Sequence, residues 1–190
     1  MTLVQEQPKK RISFQNQYHW IWDVLLVVIL VAGAYFRFIG INWDDNHHVH
    51  PDERFLTMVA TSISPVKAGE YFNTDLSTLN PHNVGYSYYV YGTFPLFIVR
   101  YVGEWLDRTG YDQIFLVGRF LAGLFDLFTV FLVYLIAYRI YKRPGLSVLA
   151  AAFSAFAVLQ IQQSHYFTVD SFLTFFVTLS LYFAIRVMTS

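Results

Sequence analysis

The sequence predicts an all-α integral membrane protein with about four transmembrane helices and a long external first loop that carries two amphipathic surface helices. Hydrophobic residues make up 55% of the 190 residues and charged residues only 14%, whereas a soluble domain carries about 25% charge. Four apolar stretches approach the roughly 20 residues that a bilayer-spanning helix needs. In this arrangement the basic residues that flank the stretches fall on one side of the membrane, as the positive-inside rule requires.

The overall charge and the absence of cysteine limit the classes of partner and chemistry that the protein can use. Thirteen Lys and Arg residues balance thirteen Asp and Glu residues, so the net charge gives no reason to expect a nucleic-acid partner. The sequence contains no cysteine, which excludes disulfides, thiolate catalysis and cysteine-ligated zinc.

The predicted transmembrane helices follow a polar N-terminal tail, residues 1–19, which we expect in the cytoplasm. The apolar run after this tail is too long for a signal-peptide core and has no small-residue cleavage pattern, which favours a retained membrane anchor. The predicted helices are 20–39, 115–141, 146–163 and 167–188, with a cytoplasmic turn at 142–145.

Residues 93–106 form a further apolar stretch, but it is short, and Arg100 and Glu104 interrupt it. Stretches of about 10–14 apolar residues are more often interfacial than spanning. Counting this stretch as a span would move Lys142 and Arg143 outside, against the positive-inside rule. We therefore predict a multi-pass plasma-membrane protein with a cytoplasmic N-terminus. Its cytoplasmic basic residues are Lys9, Lys10, Arg11, Arg139, Lys142, Arg143 and Arg186.

The predicted external loop, residues 40–114, contains two helical segments. Apolar residues recur at helical spacing near 51–64, and Pro51 suits the first turn of a helix there. The second segment lies near 93–107, and we expect both helices to lie on the outer leaflet. The apolar positions of the first segment are Phe55, Leu56, Val59, Ala60 and Ile63.

A dense cluster of titratable residues lies in residues 43–54, directly after the first span. Such groups are costly to keep at a membrane surface and therefore indicate a functional site. Asp52 and Glu53 are candidate catalytic carboxylates; alternatively, they only complement the positive N-terminus of the helix that follows Pro51. The members of the cluster are Asp44, Asp45, His47, His48, His50, Asp52, Glu53 and Arg54.

His47, His48 and His50 have two interpretations. Together with Asp52 they could ligate zinc or manganese, although their spacing is not the rigid i, i+4 spacing of a helical metal site. Otherwise they belong to a solvated loop. The cofactor stays unknown at this point, since a divalent metal ion is compatible with the segment but is not required.

Charged residues also occur in the predicted spans. Arg119 and Asp126 lie seven residues apart on one face of the second span, and buried charges in a membrane usually pair or line a polar cavity. They therefore either pair with each other or act near a lipid phosphate. Asp170 begins the fourth span, either as a helix N-cap or as part of the site.

The order of four motifs resembles that of a known family. Asp52-Glu53-Arg54 opens a surface helix, and an aromatic-rich segment leads into Tyr91-Gly92-Thr93-Phe94-Pro95-Leu96. Gly118-Arg119-Phe120 begins the second span, and Thr168-Val169-Asp170 begins the fourth. This order is similar to the N-terminal module of the GT-C membrane glycosyltransferases, in particular the protein O-mannosyltransferase and aminoarabinose-transferase branch of the glycosyltransferase family 39 type. The acidic residue and double proline of the aminoarabinose-transferase branch are absent from residues 92–95.

The resemblance implies transfer of a sugar from a polyprenyl-phosphate-linked donor to an acceptor hydroxyl on the outer face of the membrane. Asp52, with Glu53 beside it, is similar to the family's catalytic acidic residue. An attacking hydroxyl needs such a base, and the lipid-phosphate leaving group needs cations, here Arg54 and Arg119. Supporting candidates are Asp44, Asp45, Asp126 and Asp170.

The resemblance also concerns the partners of the chain, which are the sugar donor and membrane lipid. The family's enzymes have many more spans than four, and most add a C-terminal domain. We therefore expect an N-terminal module that is too short to be active alone and that works with a C-terminal part or further membrane subunits. The alternative is a non-catalytic transmembrane subunit of a larger complex. A transporter is disfavoured because paired Gly/Pro helix breaks are absent.

Overall fold

The computed structural model describes residues 19–189, and all regular structure in this range is helical. This confirms the predicted all-α class. The predicted cytoplasmic tail, with its Lys9-Lys10-Arg11 cluster, lies outside the described residues except for His19. The helices are α1 (His19–Phe38), α2 (Pro51–Ser62), α3 (Thr93–Trp105), α4 (Tyr111–Tyr141), α5 (Pro144–Ala155), α6 (Val158–Ser164) and α7 (Asp170–Met188), with a 3₁₀ turn at Pro81–Val84.

Within the described residues, three helices are long and apolar enough to cross a membrane: α1, α4 and α7. The pair α5 and α6 forms a fourth crossing if it counts as one span. The longest helix, α4, has 31 residues and begins at Tyr111, before the predicted boundary. At 1.5 Å per residue it measures about 47 Å, which exceeds the roughly 30 Å hydrocarbon core.

Residues 146–163, predicted as one transmembrane helix, instead form two helices, α5 and α6, that are bent by 55°. No Pro or Gly lies at the break, residues 156–157. The carbonyl of Ala155 accepts a hydrogen bond of 2.9 Å from Arg37 Nη1 of α1. Since a backbone group freed at membrane depth must find a partner, this arginine stabilises the broken helix.

The helices α2 and α3 pack against each other and against the first half of α4, and these contacts define what we call the α2–α3 end of the protein. The apolar stripe of α2 faces this core, as its helical spacing predicts. The inward residues of α2 and the residue that follows it, Leu56, Val59, Ala60 and Ile63, are fully buried. They pack with Leu96, Val99, Ile114 and Phe167.

Gly118 allows the segment before α7 to approach α4 closely. A Cβ atom added to Gly118 would lie only 2.2 Å from Cγ of Phe167. Only glycine leaves room for this ring, which fixes the position of residues 167–170 beside the first turns of α4.

Candidate active site

Arg119 is fully buried at the α2–α3 end, and its guanidinium group is completely occupied. Nε and Nη2 donate to the two carboxylate oxygens of Glu53 at 2.7 and 2.6 Å. Nη1 and Nη2 donate to the two oxygens of Asp44 at 2.9 Å each, and Nη1 also donates to the Ile41 carbonyl at 2.9 Å. These contacts use all five N–H groups of an arginine, so no donor is left for a lipid phosphate.

The two carboxylates that bind Arg119 are also buried. They join the segment that contains Asp44 and Glu53 to α4 and to the segment before α7. Glu53 has no exposed surface, and its Oε1 accepts a further hydrogen bond of 2.7 Å from the backbone N–H of Phe167. Burial raises the pKa of Asp44, but the hydrogen bonds and charge of Arg119 outweigh this effect and hold the pKa below its ordinary value. Asp44 therefore stays ionised at neutral pH.

The predicted pairing of Arg119 with Asp126 is wrong. Asp126 Oδ2 instead accepts a hydrogen bond of 2.6 Å from Nε of Arg37, which is fully buried in α1. Nη2 of Arg37 lies 2.6 Å from the same oxygen. Arg119 and Asp126 therefore each have a partner outside α4. They lie seven residues apart on α4, and this spacing leaves room for side chains of other segments to reach each of them.

Asp52 has a different environment from its neighbour Glu53, since its side chain is partly exposed. Its Oδ1 accepts a hydrogen bond of 2.8 Å from the hydroxyl of Tyr91. This hydrogen bond raises the pKa of Tyr91, and desolvation and the negative charges of Asp52 and Asp170 act in the same direction. Tyr91 therefore remains a protonated donor to Asp52. In the sequence, Tyr91 is the first residue of the motif Tyr91-Gly92-Thr93-Phe94-Pro95-Leu96, but its hydrogen bond to Asp52 could not be predicted from that motif.

Asp170 is exposed at the first residue of α7, and the N-cap position belongs to Val169. The predicted N-cap role is therefore wrong. The negative charge of Asp170 acts on the Tyr91 hydroxyl, which donates to Asp52, and Asp170 also lines a cavity of about 220 Å³ together with Asp126. The structure thus brings together Asp52, Tyr91 and Asp170.

The three histidines point to different neighbours rather than to one site. The His48 ring is buried between Tyr111 and Phe115, with ring centroids 4.4 and 4.3 Å away. His50 packs on Tyr166, and Nδ1 of His47 lies 2.8 Å from the Asp44 carbonyl. In the part of the chain that the structure describes, no group of three His, Asp or Glu residues is placed to hold a metal ion.

The turn before α2 has an unusual backbone. Asp45, Asn46 and His48 all have positive φ angles, of 47°, 67° and 48°. Asp, Asn and His adopt this region more readily than other non-glycine residues do, yet three of them in one turn still indicate tertiary restraints. The hydrogen bonds from Arg119 to Asp44 and Ile41 provide restraints on one side of the turn. Asp45 itself is exposed.

Arg54 is the remaining predicted phosphate ligand, and it is exposed. Its Nε and Nη2 groups donate to the His48 carbonyl, at 3.2 Å each. These bonds hold the stem of the side chain against the turn and leave Nη1 available. Of the two predicted arginines, Arg54 is therefore the one that an external anion can reach.

Helices of membrane-spanning length and apolar composition define an integral membrane protein, and a group of carboxylates lies at one end of these helices. The sequence profile of the dolichyl-phosphate-mannose-protein mannosyltransferase family matches residues 70–190. The chain belongs to this family and is a membrane glycosyltransferase, which confirms the GT-C resemblance. The matched region contains Tyr91, Arg119 and Asp170 and begins after Asp52. No match was found among curated proteins or solved structures.

Proposed function

We propose that this protein transfers a sugar from a polyprenyl-phosphate-linked donor to an acceptor hydroxyl, with Asp52 as the general base. The observation that carries the proposal is the contrast between two adjacent carboxylates. Glu53 is fully buried and accepts three hydrogen bonds, whereas Asp52 is partly exposed and accepts one, from Tyr91. Of these two carboxylates, Asp52 is the one that offers an oxygen to a substrate.

The proposed reaction is a single displacement at the anomeric carbon. The acceptor oxygen attacks that carbon while its proton passes to Asp52, and the bond from the anomeric carbon to the phosphate oxygen breaks with its electron pair on the phosphate. Tyr91 holds Oδ1 of Asp52 and thereby orients Oδ2 for the proton. The leaving phosphate is already anionic, so it needs a nearby cation more than a proton.

Arg54 is the residue that we propose for the donor phosphate. It follows the base by two positions, is exposed and has an available Nη1 group. Arg119 has a positioning role instead. By holding Glu53 and Asp44, it fixes the first turn of α2 and the strained turn before it, and these segments carry Asp52 and Arg54.

The orientation in the membrane is part of the same proposal. We place the α2–α3 end on the outer face of the plasma membrane and the N-terminus in the cytoplasm. Arg139 and Arg186 support this placement, because both lie near the opposite ends of their helices and positive residues favour the cytoplasmic side. A donor that is membrane-anchored would then meet its acceptor at the outer surface.

The donor and acceptor classes can be tested with the full-length protein in lipid nanodiscs. Dolichyl-phosphate mannose with a labelled sugar serves as the donor, and a peptide with Ser and Thr serves as the acceptor. We expect labelled peptide and an equal amount of dolichyl phosphate, with inversion at the anomeric carbon seen by NMR. Binding of the donor without transfer to any hydroxyl acceptor would contradict the proposal.

A further inference from the structure

A cavity of about 220 Å³ lies between α4, α6 and α7, and most of the residues that line it are polar. Apolar side chains dominate α4 and α7, yet Leu159 is the one apolar residue among those that line the cavity. Polar groups gathered around a space inside membrane helices are costly and therefore indicate a binding function. The lining residues are Asp126, Leu159, Gln160, Gln163, Asp170, Ser171 and Thr174.

The break between α5 and α6 directs two amides to this cavity. The α6 helix carries Gln160 and Gln163, and it departs by 55° from the direction of α5. Oε1 of Gln160 accepts a hydrogen bond of 3.1 Å from the Ser154 hydroxyl before the break, which leaves the amide N–H groups of Gln160 to donate. Irregular backbone at membrane depth is tolerated where it is buried or lines a cavity.

The charge of the lining excludes a phosphate as the occupant. Neither Lys nor Arg lines the cavity. The carboxylate of Asp126 is neutralised by Arg37, so the uncompensated charge is that of Asp170. An anion would be repelled, whereas an uncharged group rich in hydroxyls can donate to the carboxylates and accept from the amides.

Asp170 links the cavity to the proposed base. Asp170 lines it and also lies close enough to Tyr91 to raise the pKa of that hydroxyl, and Tyr91 donates to Asp52. A ring bound in the cavity would therefore lie beside Asp170, the lining residue whose charge reaches the Tyr91 hydroxyl. The donor phosphate would remain outside, toward the surface that carries Arg54.

We infer that this cavity binds the uncharged sugar ring of the lipid-linked donor and that Gln160 and Gln163 determine its specificity. The inference rests on the proposed function, because it assigns the sugar of that donor to a position. It also separates two roles. The amides of α6 bind the hydroxyls of the sugar, whereas Arg54 binds the phosphate and Asp52 accepts the proton.

Two lipids that differ only in the sugar test this separation. Affinities for dolichyl-phosphate mannose and for dolichyl phosphate are measured on the full-length protein in nanodiscs. The variants are Gln160→Leu and Gln163→Leu, and the matched control is Gln162→Leu, which lies on the same helix but lines a different cavity with Trp43 and His165. Thr174→Val provides a second reading if the glutamine variants fail to insert, since it removes a lining hydroxyl at similar volume.

We expect each cavity variant to weaken binding of dolichyl-phosphate mannose about three- to tenfold, the usual effect of one lost hydrogen bond. Binding of dolichyl phosphate should not change, and Gln162→Leu should alter neither affinity. Equal losses for both lipids, or no loss for the mannose lipid, would overturn the inference. If the wild-type protein binds neither lipid, the proposed function itself fails. If the wild-type protein binds both lipids and the cavity variants bind them with unchanged affinity, the proposed function is retained and the sugar binds elsewhere.

Discussion

Arg119 donates hydrogen bonds to both carboxylate oxygens of Glu53, at 2.7 and 2.6 Å, although the two residues are 66 positions apart in the chain. Neither side chain has any exposed surface. The contact joins α4 to the first turn of α2, whose neighbouring residue Asp52 is the proposed base. An ion pair buried in this way positions the site without touching the substrate.

Replacing Arg119 should therefore act on folding rather than on phosphate binding. Arg119→Ala leaves two buried carboxylates without their partner, and breaking a buried pair costs about 3–5 kcal/mol. We expect a loss of that size in the free energy of unfolding, measured in detergent, whereas the exposed Arg108→Ala should stay within about 0.5 kcal/mol. An Arg119→Ala protein of normal stability with weakened dolichyl phosphate binding would restore the phosphate role.

A double-mutant cycle distinguishes the true partner of Asp126. Arg37 contacts Asp126 directly at 2.6 Å, so the pair Arg37→Met and Asp126→Leu should show a coupling free energy of about 0.5–3 kcal/mol. The pair Arg119→Met and Asp126→Leu serves as the control and should be additive within about 0.5 kcal/mol. Strong coupling in the second cycle and none in the first would contradict the observed pairing.

The stabilising contribution of Asp44 to the turn before α2 should be lost at acid pH. The pKa of Asp44 is lower in the folded protein than its ordinary value, which is about 3.9 in an unfolded chain. Its stabilising contribution is therefore fully present above the unfolded pKa and is lost as the pH falls through the folded pKa. We expect the unfolding midpoint of Asp44→Asn to lie below that of the wild type at pH 7 and to approach it as the pH falls below about 4. The exposed Asp45→Asn should follow the wild type throughout; a constant gap between Asp44→Asn and wild type would contradict the linkage.

Cysteine accessibility tests the orientation. The chain has no cysteine of its own, so single substitutions label without background. Thr74 is exposed in the segment between α2 and α3, and Arg143 is exposed in the turn between α4 and α5. In intact cells a membrane-impermeant maleimide should label Thr74→Cys and should label Arg143→Cys only after permeabilisation. Labelling of both without permeabilisation would contradict the proposed topology.

Local patterns were sufficient to predict the helical class and the amphipathic helix at α2. The spacing of Leu56, Val59, Ala60 and Ile63 matches one helix face, and these residues are buried together. Pro51 is the first residue of that helix. These features depend on neighbours within a few residues, which is the range over which sequence periodicity carries information.

The partners of the buried charges could not be predicted in this way. Sequence spacing offered Asp126 as the nearest acid on the same helix as Arg119, but the actual partners come from α1, α2 and the turn before it. The bend at residues 156–157 also had no local signal, because a contact with Arg37 stabilises it rather than a Pro or Gly. Both features arise from packing between distant segments.

The role of Asp52 as base is the central claim, and Asp52→Asn tests it most directly. Asparagine keeps the size of the side chain and can still accept from Tyr91, but it cannot take the proton. Transfer from dolichyl-phosphate mannose should fall by about 10²–10⁴-fold, with donor affinity and unfolding midpoint unchanged. The exposed Asp75→Asn is the matched control and should transfer at the wild-type rate. A folded Asp52→Asn protein that retains more than about a tenth of the wild-type rate would contradict the account, since loss of a general base costs far more than that.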